Sequence, residues 1–312
     1  MDASIIKIGT RGSKLALWQA NHVASLIHKQ GYKTHIEIIE TKGDKILDKA
    51  IAKIGSKGIF TQELEEQLLN QNIDIAVHSA KDLQSELPVE LEIIAFTERE
   101  IVNDVLVSAK KGISLTSPNL VIGTSSTRRV AMLKHYYPNI KTVDIRGNLQ
   151  TRFRKMDEGL CDALLLAFAG VHRMEYDEFV AEKLPVDIFT PAVGQGSVAV
   201  EAAVDLSEEK RSIVKKAVNH MDTEICLKAE RAFLKTLQGG CSIPVFGLAT
   251  IKSSQVQMDG GIISLDGKKV IKLIEKGPLT DAESIGQKLA LKVLETGGAE
   301  ILKDIKSKLV GY

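Results

Sequence analysis

Two stretches of sequence decide the fold: "IIKIGTRGSKLAL" at residues 5–17 and "LVIGTSSTRRVAML" at residues 120–133. Each has a short apolar run, a Gly-Thr pair, a polar turn and then apolar residues at helical spacing. A second pair, "IDIAVHSAKD" at 73–82 and "CDALLLAFAG" at 161–170, follows in the same order. Because both pairs keep their order, the sequence predicts two related α/β lobes with a cleft between them.

The segments around these stretches agree with this prediction. Short apolar runs alternate with amphipathic helical stretches, a pattern that predicts βα units on mainly parallel sheets. In the helix after the first strand, we expect Trp18 to lie in the core, with Leu15, Val23 and Leu26 on or near the same face. Residues 42–58 are rich in lysine, glycine and aspartate, which predicts a mobile loop.

The pattern changes beyond residue 220. The stretch "DTEICLKAERAFLKTLQ" predicts a helix that is capped by Asp222 or Thr223. Short strands joined by Gly-rich hairpin signals are expected next: "VFGLATI", "SQVQM", "GIISL" and "KKVIKLIE". Two helices finish the chain. The fold class predicted for the whole chain is therefore α/β, with two lobes and a smaller C-terminal α+β domain.

Composition argues against several classes of protein. A net charge of +1 over 312 residues argues against a nucleic-acid-binding protein, which would carry a large basic excess. Three widely spaced cysteines predict neither a disulfide framework nor a zinc site and favour a reducing cytoplasm. The first residues lack the apolar region of a secretory signal, and the longest apolar run, residues 163–171, is too short for a membrane span. We therefore expect a soluble, cytoplasmic protein.

The arginines are unevenly distributed. Six of the ten fall within residues 128–173, and these are Arg128, Arg129, Arg146, Arg152, Arg154 and Arg173. Arg128 and Arg129 occupy the predicted first turn of a helix, where the helix dipole disfavours cations, so an anion should compensate them. Arg11 has a similar place in the first lobe. Because glycine, threonine and serine at such turns expose N–H groups that bind anions, these arginines together imply a ligand with several negative groups.

The alternative is that these arginines are solvated residues on helix faces. Their partners would then be Asp144, Asp157 and Glu158. This alternative fits Arg154 best, because Arg154 precedes Asp157 by three residues.

A second candidate group follows a predicted strand. Lys81 and Asp82 come directly after "VHSA", at the carboxyl edge where open α/β sheets place their ligand sites. Asp82 is either a general acid or base, a carboxylate that stabilises a cation, or half of a structural ion pair. His78, within the strand, is expected to be a hydrogen-bonded core residue. The stretch "PAVGQGSVAVE" at 191–201 is either a phosphate loop or, as its proline and short length favour, a tight turn between the lobes.

Cys241 stands behind two glycines in "LQGGCSIPVFG" at 237–247. A cysteine packed in a core needs neither glycines before it nor a turn after it, so we predict that Cys241 is accessible to a ligand. It is either a nucleophile or the attachment point of a prosthetic group. Nucleophilic cysteines need a base, and the nearest histidine in sequence is His220, so attachment is favoured.

With these residues in place, the chain resembles the porphobilinogen deaminase family, also called the hydroxymethylbilane synthases. The matching segments are "GTRGSKLALWQA", "GSKGIFTQELE", "DIAVHSAKDL", "GTSSTRR", "RGNLQTR", "LAFAGVHR", "PAVGQG" and "ERAFLKTLQGGCSIP". The family joins four porphobilinogen molecules head to tail and releases ammonia from each. The resemblance implies two lobes like those of periplasmic solute-binding proteins, and a smaller domain that bears the cysteine.

The resemblance also implies a role for each candidate residue. The family's dipyrromethane prosthetic group is held by a thioether to the cysteine of the "GGC" motif, here Cys241, and Asp82 is the catalytic carboxylate. Further cofactor-binding residues implied are Lys81, Thr124, Ser125, Ser126, Arg128 and Arg129. The substrate-binding residues implied are Arg11, Ser13, Ser79, Arg146, Arg152, Arg173 and Gln195. Lys53 and Lys57 would help to cover the cleft, unless they belong to a solvated loop, and no metal is implied.

The implied organisation is three domains. The first lobe takes residues 1–99 and 196–218, the second lobe takes 100–195, and the C-terminal domain takes 219–312. The expected ligand is porphobilinogen, with no nucleic acid or membrane as a partner and with the chain as a monomer. The competing hypothesis is a non-catalytic, bilobed anion-binding protein or sensor, which explains the lobes and arginines but gives Cys241 and Asp82 no purpose.

Two positions depart from the family pattern. Gln84 stands where many members have proline, and Thr127 stands where leucine is usual. These departures put in doubt the shape of the turn after Asp82 and one packing contact, but no charged residue with an implied role.

Overall fold

The structure, a computed structural model, describes residues 5–41, 61–240 and 242–310. The predicted loop at 42–58, with Lys53 and Lys57, and the predicted attachment residue Cys241 lie outside these residues. The strands in the described part are β1 (Ile5–Thr10), β2 (Lys33–Ile38), β3 (Ile75–Ser79), β4 (Leu91–Phe96), β5 (Asp104–Val107), β6 (Val121–Gly123), β7 (Lys141–Val143), β8 (Ala163–Ala167), β9 (Val180–Lys183), β10 (Val198–Ala203), β11 (Val245–Lys252), β12 (Gln255–Ile263) and β13 (Val270–Pro278). The α-helices there are α1 (Lys14–His28), α2 (Gln62–Leu69), α3 (Thr127–Tyr136), α4 (Leu149–Asp157), α5 (Phe168–Arg173), α6 (Glu208–Val218), α7 (Met221–Thr236), α8 (Ala282–Val293) and α9 (Ala299–Val310).

Two five-stranded sheets share one topology. The first has the order β2-β1-β3-β10-β4, and the second has the order β7-β6-β8-β5-β9. In each sheet the first three strands are parallel, and the fourth strand is antiparallel to both of its neighbours. The prediction of two related α/β lobes, drawn from the two pairs of similar stretches, is confirmed.

The paired stretches fold in the same way locally. Ser13 caps α1 by accepting a hydrogen bond from the Ala16 N–H, and Ser126 caps α3 by accepting one from the Arg129 N–H. The glycine of each Gly-Thr pair has no room for a side chain, since a Cβ on Gly9 would overlap Ile73 and one on Gly123 would lie 2.8 Å from the Cys161 sulfur. Small residues therefore end both strands, and a capped helix follows each.

The prediction that Trp18 lies in the core is wrong. The buried face of α1 consists of Ala16, Gln19, Ala20, Val23, Ala24 and Ile27. Trp18 is only half-buried and stacks on His22, with 5.1 Å between the ring centroids. Small residues cover the sheet because they let the helix approach it closely, and the large indole lies at the edge of that contact.

The C-terminal domain is an antiparallel sheet of order β11-β12-β13 that packs against helices. Four short strands were predicted here, but two of them form the single strand β12. The glycines within β12 are needed because neighbouring groups pack closely against them, and they do not form a hairpin. A Cβ on Gly260 would lie 2.9 Å from the Phe233 ring, and one on Gly261 would overlap the Ile271 carbonyl oxygen.

The predicted cap of α7 is also wrong. The helix begins at Met221, one residue before Asp222. His220 precedes it, and its Nδ1 lies 2.9 Å from the Thr223 hydroxyl and accepts a 3.4 Å hydrogen bond from the Thr223 N–H. The imidazole takes the place that a Ser or Asp side chain usually occupies.

The chain divides into two compact units. Among the described residues, the first holds 5–41, 61–100 and 196–224, and the second holds 101–195, 225–240 and 242–310. In the second unit, Phe246 and Ile263 of the C-terminal sheet share a core with residues of the second lobe. No helix within the described residues is both long and apolar enough to span a bilayer.

Candidate active site

A buried cluster of charged groups lies in the second compact unit, at the first turn of α3. The carboxylate of Asp104 is fully buried at the start of β5 and forms ion pairs with two neighbouring guanidiniums. Arg128 Nη1 lies 2.8 Å from Asp104 Oδ2, while Arg129 Nη2 and Nε lie 2.7 and 3.1 Å from Oδ1. Gln195 Nε2 adds a third donor at 3.0 Å from Oδ1. We call these four residues the Asp104 cluster.

The charges of the Asp104 cluster do not cancel. Burial alone would raise the pKa of Asp104, but Arg128 and Arg129 outweigh it and hold the pKa of that carboxyl well below its ordinary range. Asp104 is therefore ionised, and two guanidiniums with one carboxylate leave a net charge of about +1. Within the described part of the chain, Arg128 Nε is buried without a hydrogen-bond partner. The cluster therefore has both a positive charge and a donor to offer an anion.

The structure identifies the anion that compensates the two arginines at the N-terminus of α3. The two arginines are 4% and 6% exposed, so the alternative of solvated side chains paired with Asp144, Asp157 or Glu158 is wrong for both. Their anionic partner is Asp104, which sequence reasoning missed. Its signal was an acid in the otherwise apolar run "DVLV" of β5. A buried acid of this kind needs a cationic partner.

The turn before α3 is held by its own polar groups. The Thr124 N–H donates to the Val143 carbonyl at 3.0 Å, and the Thr124 hydroxyl accepts from the Ser126 N–H at 3.3 Å. Ser125 and Ser126 are half-buried, whereas Thr124 is buried. Thr124, Ser125 and Ser126 therefore lie together at the N-terminus of the helix that carries the guanidinium pair.

The other arginines of the second lobe are less buried. Arg146 donates from Nε to the exposed carboxylate of Asp144 at 3.1 Å, and Arg152 donates from Nε to the Gly147 carbonyl at 2.9 Å. Arg173 is half-buried in the last turn of α5. Arg154 is exposed and faces Glu158, 3.7 Å away, so its assignment to a solvated helix face is confirmed.

The first lobe presents a carboxylate at the end of β3. Lys81 and Asp82 lie in a single helical turn, Ala80–Asp82, that follows the strand directly, and Asp82 is exposed. Ser79, the last residue of the strand, accepts a 2.8 Å hydrogen bond from Gln19 Nε2. Arg11 and Ser13 are half-buried in the turn between β1 and α1.

The polar groups beside this turn are buried. His78 is buried, as predicted for a core histidine, and its Nε2 lies 3.1 Å from Glu201 Oε2. The contact lacks hydrogen-bond geometry, so the expected hydrogen bond of this nitrogen is not found among the described residues. Gln84, the position where the family usually has proline, donates to the Glu65 carboxylate at 3.3 Å and to the Thr61 hydroxyl at 3.5 Å. Gln84 thus ties the chain after Asp82 to the start of α2, which a proline would not do.

The two glycines before Cys241 have different surroundings. Gln238 has a positive φ of 49°, and the Gly239 N–H donates to the Leu234 carbonyl, which closes the end of α7. A Cβ on Gly239 would lie 2.6 Å from Leu234 Cδ1, whereas one on Gly240 would meet no atom of the described residues within 4 Å. Only Gly240 leaves space beside it.

The stretch at 191–196 forms a turn. Gly194 and Gly196 have φ values of 77° and 94°, which L side chains rarely adopt. A Cβ on Gly196 would lie 2.5 Å from the Glu100 carbonyl oxygen. Within the described residues, no group of three or more His, Cys, Asp or Glu side chains is placed to hold a metal ion.

The fold and these residues define a two-lobed α/β protein with a buried cationic cluster in one lobe and an exposed carboxylate at a strand end in the other. Two family models match the chain: "Porphobilinogen deaminase, dipyromethane cofactor binding domain" over residues 6–211 and "Porphobilinogen deaminase, C-terminal domain" over residues 224–295. The chain belongs to the porphobilinogen deaminase family.

Individual proteins agree with the family models. The chain is 56% identical over 305 residues to the porphobilinogen deaminase of Cytophaga hutchinsonii, and the match covers 97% of this chain and 98% of that protein. It is 51% identical to the enzyme of Desulfosudis oleivorans, with the same coverage. A solved structure, the periplasmic VFT2 domain of Bordetella pertussis BvgS, is 15% identical, with a TM-score of 0.43 over 69% of this chain and 87% of that domain. A TM-score this low does not establish a shared fold.

Proposed function

We propose that the chain joins porphobilinogen molecules head to tail with Asp82 as the catalytic carboxylate, on a dipyrromethane primer held by Cys241 and the Asp104 cluster. Family membership makes the protein a transferase of tetrapyrrole biosynthesis that uses a dipyrromethane cofactor, and does not favour a non-catalytic anion sensor. The roles of individual residues are the content of the proposal. Four condensations and the release of hydroxymethylbilane complete the proposed reaction.

The observation that carries the proposal is the net positive charge of the Asp104 cluster. A dipyrromethane made from porphobilinogen carries acetate and propionate groups, and a buried guanidinium is a strong donor to a carboxylate. The unpartnered Arg128 Nε is a donor suited to such a group. The residues present therefore fit the cofactor, with Thr124, Ser125, Ser126 and Lys81 as further ligands and Cys241 as the covalent anchor. When bound, the dipyrromethane supplies the pyrrole carbon to which substrate is joined.

The substrate carboxylates require further cations. Arg11, Arg146, Arg152 and Arg173 are proposed to bind them, with Ser13 and Ser79 as hydrogen-bond donors. All six side chains are half-buried, so each keeps a solvent-facing part that a ligand can reach. Gln195, which the resemblance implies as a further substrate-binding residue, is buried and donates its amide N–H to Asp104, so we propose that it acts through the Asp104 cluster. Lys53 and Lys57 remain proposed covering residues outside the described part of the chain.

Asp82 is proposed to manage charge and protons on the substrate. As ammonia leaves porphobilinogen, its C–N bond breaks and a positive charge develops on the pyrrole, which a nearby carboxylate stabilises. A new C–C bond then forms, and one proton must leave the pyrrole carbon that has reacted. An exposed carboxylate at a strand end can accept this proton and release it to water.

The proposed organisation keeps the domains at 1–99 with 196–218, 100–195 and 219–312. The chain changes compact unit after residues 100 and 195, which supports the limits of the second lobe. The next change comes after residue 224, and the proposed start of the C-terminal domain at 219 lies between the two family models, which end at 211 and begin at 224. We further propose a cytoplasmic monomer without nucleic-acid partners. The cysteine pattern and the near-neutral net charge support the compartment and the absence of nucleic acid.

Intact-protein mass spectrometry tests the proposed attachment. Purified protein should exceed the mass of the bare sequence by a dipyrromethane, and the Cys241→Ser variant should lack this increment and be inactive. Cys226→Ser is the matched control, because Cys226 is buried in the C-terminal core and should leave the increment in place. Active protein with the mass of the bare sequence would overturn the proposal.

A further inference from the structure

Helix α7 leads to Cys241, and one buried carboxylate on this helix bonds to two other parts of the same compact unit. Glu230 is fully buried. Its Oε2 accepts the Gly194 N–H at 2.8 Å, and its Oε1 accepts the Ala249 N–H at 2.8 Å. Gly194 belongs to the 191–196 turn and Ala249 to strand β11, so Glu230 joins the helix to both.

The 191–196 turn continues into the Asp104 cluster. Gln195 follows Gly194 directly, and its Nε2 donates to the Val102 carbonyl at 2.7 Å and to Asp104 at 3.0 Å. Asp104 in turn forms ion pairs with Arg128 and Arg129. A series of short polar contacts therefore runs from α7 to the guanidinium pair, with every member in the second compact unit.

Apolar packing and hydrogen bonds from Glu230 constrain the position of α7 in different ways. The helix buries Phe233 and Leu237 in the same core as Val193 and Val245. Such contacts are non-directional, and sliding by one residue moves a helix only about 1.5 Å. Hydrogen bonds to two separate N–H groups are directional and would both break on such a shift. The Glu230 carboxylate therefore adds a directional constraint on the position of α7 to that of the apolar packing.

We propose that Glu230 is a positioning residue, which holds the helix leading to Cys241 in register with Arg128 and Arg129. The inference rests on the proposed function, in which a primer tethered to the Cys241 thiol must bring its carboxylates to Arg128 and Arg129. This requirement is the reason why the position of α7 would matter for activity. The tether lies five residues beyond Thr236, the last residue of α7. A small shift of the helix therefore moves the anchor, and misplacement of about 1 Å lowers rates up to about a hundredfold.

Glu230→Gln and Glu230→Asp test the proposal. Glutamine keeps the shape but presents an NH₂ group to one of the two N–H groups, and aspartate keeps the charge but is one methylene shorter. The matched control is Glu182→Gln, whose carboxylate likewise accepts a backbone N–H, from Leu115 at 3.0 Å, but lies outside the Asp104 cluster. Three quantities are measured on the folded fraction: the share of protein carrying the dipyrromethane mass, kcat and KM, and the masses of covalent intermediates at substoichiometric porphobilinogen.

The expected result is a lower share of loaded protein for both Glu230 variants. In the loaded fraction, kcat should fall about tenfold with KM changed less than about twofold, and short covalent intermediates should accumulate. The control should match the wild type in all three quantities. A loaded share and a distribution of intermediates equal to wild type, or no folded fraction for either variant, would overturn the proposal in favour of a purely structural role. Wild-type protein without any adduct would instead overturn the proposed function itself.

Discussion

Asp82 and Asp104 are two aspartates with opposite surroundings in the two lobes. Asp82 follows β3 of the first sheet and is exposed, while Asp104 begins β5 of the second sheet and is fully buried between two guanidiniums. The buried carboxylate is fixed and permanently ionised, so it organises charge but exchanges no protons. The exposed one is free to meet a substrate. The comparison teaches that burial, more than residue type, separates the acid suited to chemistry from the acid suited to structure.

The largest effect is expected from Asp104→Asn. This change leaves two buried guanidiniums facing an uncharged amide, and breaking a buried ion pair in this way should lower the free energy of unfolding by about 3–5 kcal/mol. Denaturant unfolding measures the loss. Asp144→Asn, which removes an exposed partner of Arg146, should change stability by less than about 1 kcal/mol. Equal effects of the two substitutions would contradict the contrast drawn between buried and exposed aspartates.

Asp82→Asn should have the reverse effect, with little change in stability and a large loss of turnover. The exposed side chain contributes little to folding, but loss of its proton transfer should lower kcat by about a hundredfold or more. Steady-state kinetics and denaturant unfolding are measured on the same preparation. Glu90→Gln, another exposed acid of the first lobe, is the control and should keep normal turnover. Near-normal turnover of the Asp82 variant would remove this residue from the mechanism.

The smallest effect is expected at Glu65, a buried acid whose carboxylate accepts a hydrogen bond from the uncharged amide of Gln84. Burial raises the pKa of Glu65, aided by the charge of Glu201, although Thr61, His78 and Gln84 oppose the shift. A carboxyl whose folded pKa is raised contributes stability below its unfolded pKa and loses it as the pH rises through the folded value. Glu65→Gln should therefore increase stability at pH 7 by up to about 1 kcal/mol and leave it nearly unchanged below about pH 4.

The matched control for this prediction lies on the same helix. Glu66→Gln changes an exposed acid of α2 and should leave the pH dependence of unfolding as it is in the wild type. Stabilisation that is equal at both pH values would mean that Glu65→Gln acts through packing and not through charge.

Much of the fold follows from the sequence because the two lobes repeat one local pattern. A strand, a Gly-Thr pair and a serine cap recur at Ser13 and Ser126, and local hydrogen bonding is enough to specify them. The errors lie where distant contacts override local signals. Glycines 260 and 261 indicate a turn locally, but Phe233 and Phe246 pack where their side chains would be. Trp18 has the spacing of a core residue, but other residues of α1, among them Ala20, Val23 and Ile27, form its buried face.

The candidate site, like the fold, is predictable from the sequence only where a local signal specifies it. Arg128 and Arg129 were located by their unfavourable place at a helix N-terminus, a local signal with a physical cause. Their partner Asp104 lies some 24 residues earlier in the chain, and no local pattern connects them. The link from Glu230 through Gly194 to Gln195 likewise depends on tertiary contacts between segments that are far apart in sequence.

Helix α3 is held at both ends. Asp104 binds its first turn, while near its last turn Lys134 Nζ donates to the Leu265 carbonyl at 3.1 Å and His135 Nδ1 lies 2.7 Å from the Gly267 carbonyl. Gly267 has a φ of 76°, and a Cβ there would lie 2.8 Å from the Ala131 carbonyl oxygen. The hairpin between β12 and β13 therefore has the composition of a surface loop that tolerates insertions, but its contacts with α3 are too close for one. Inserting an epitope tag or a fluorescent label there would disturb the helix that carries the guanidiniums, so protein engineers should place such additions elsewhere.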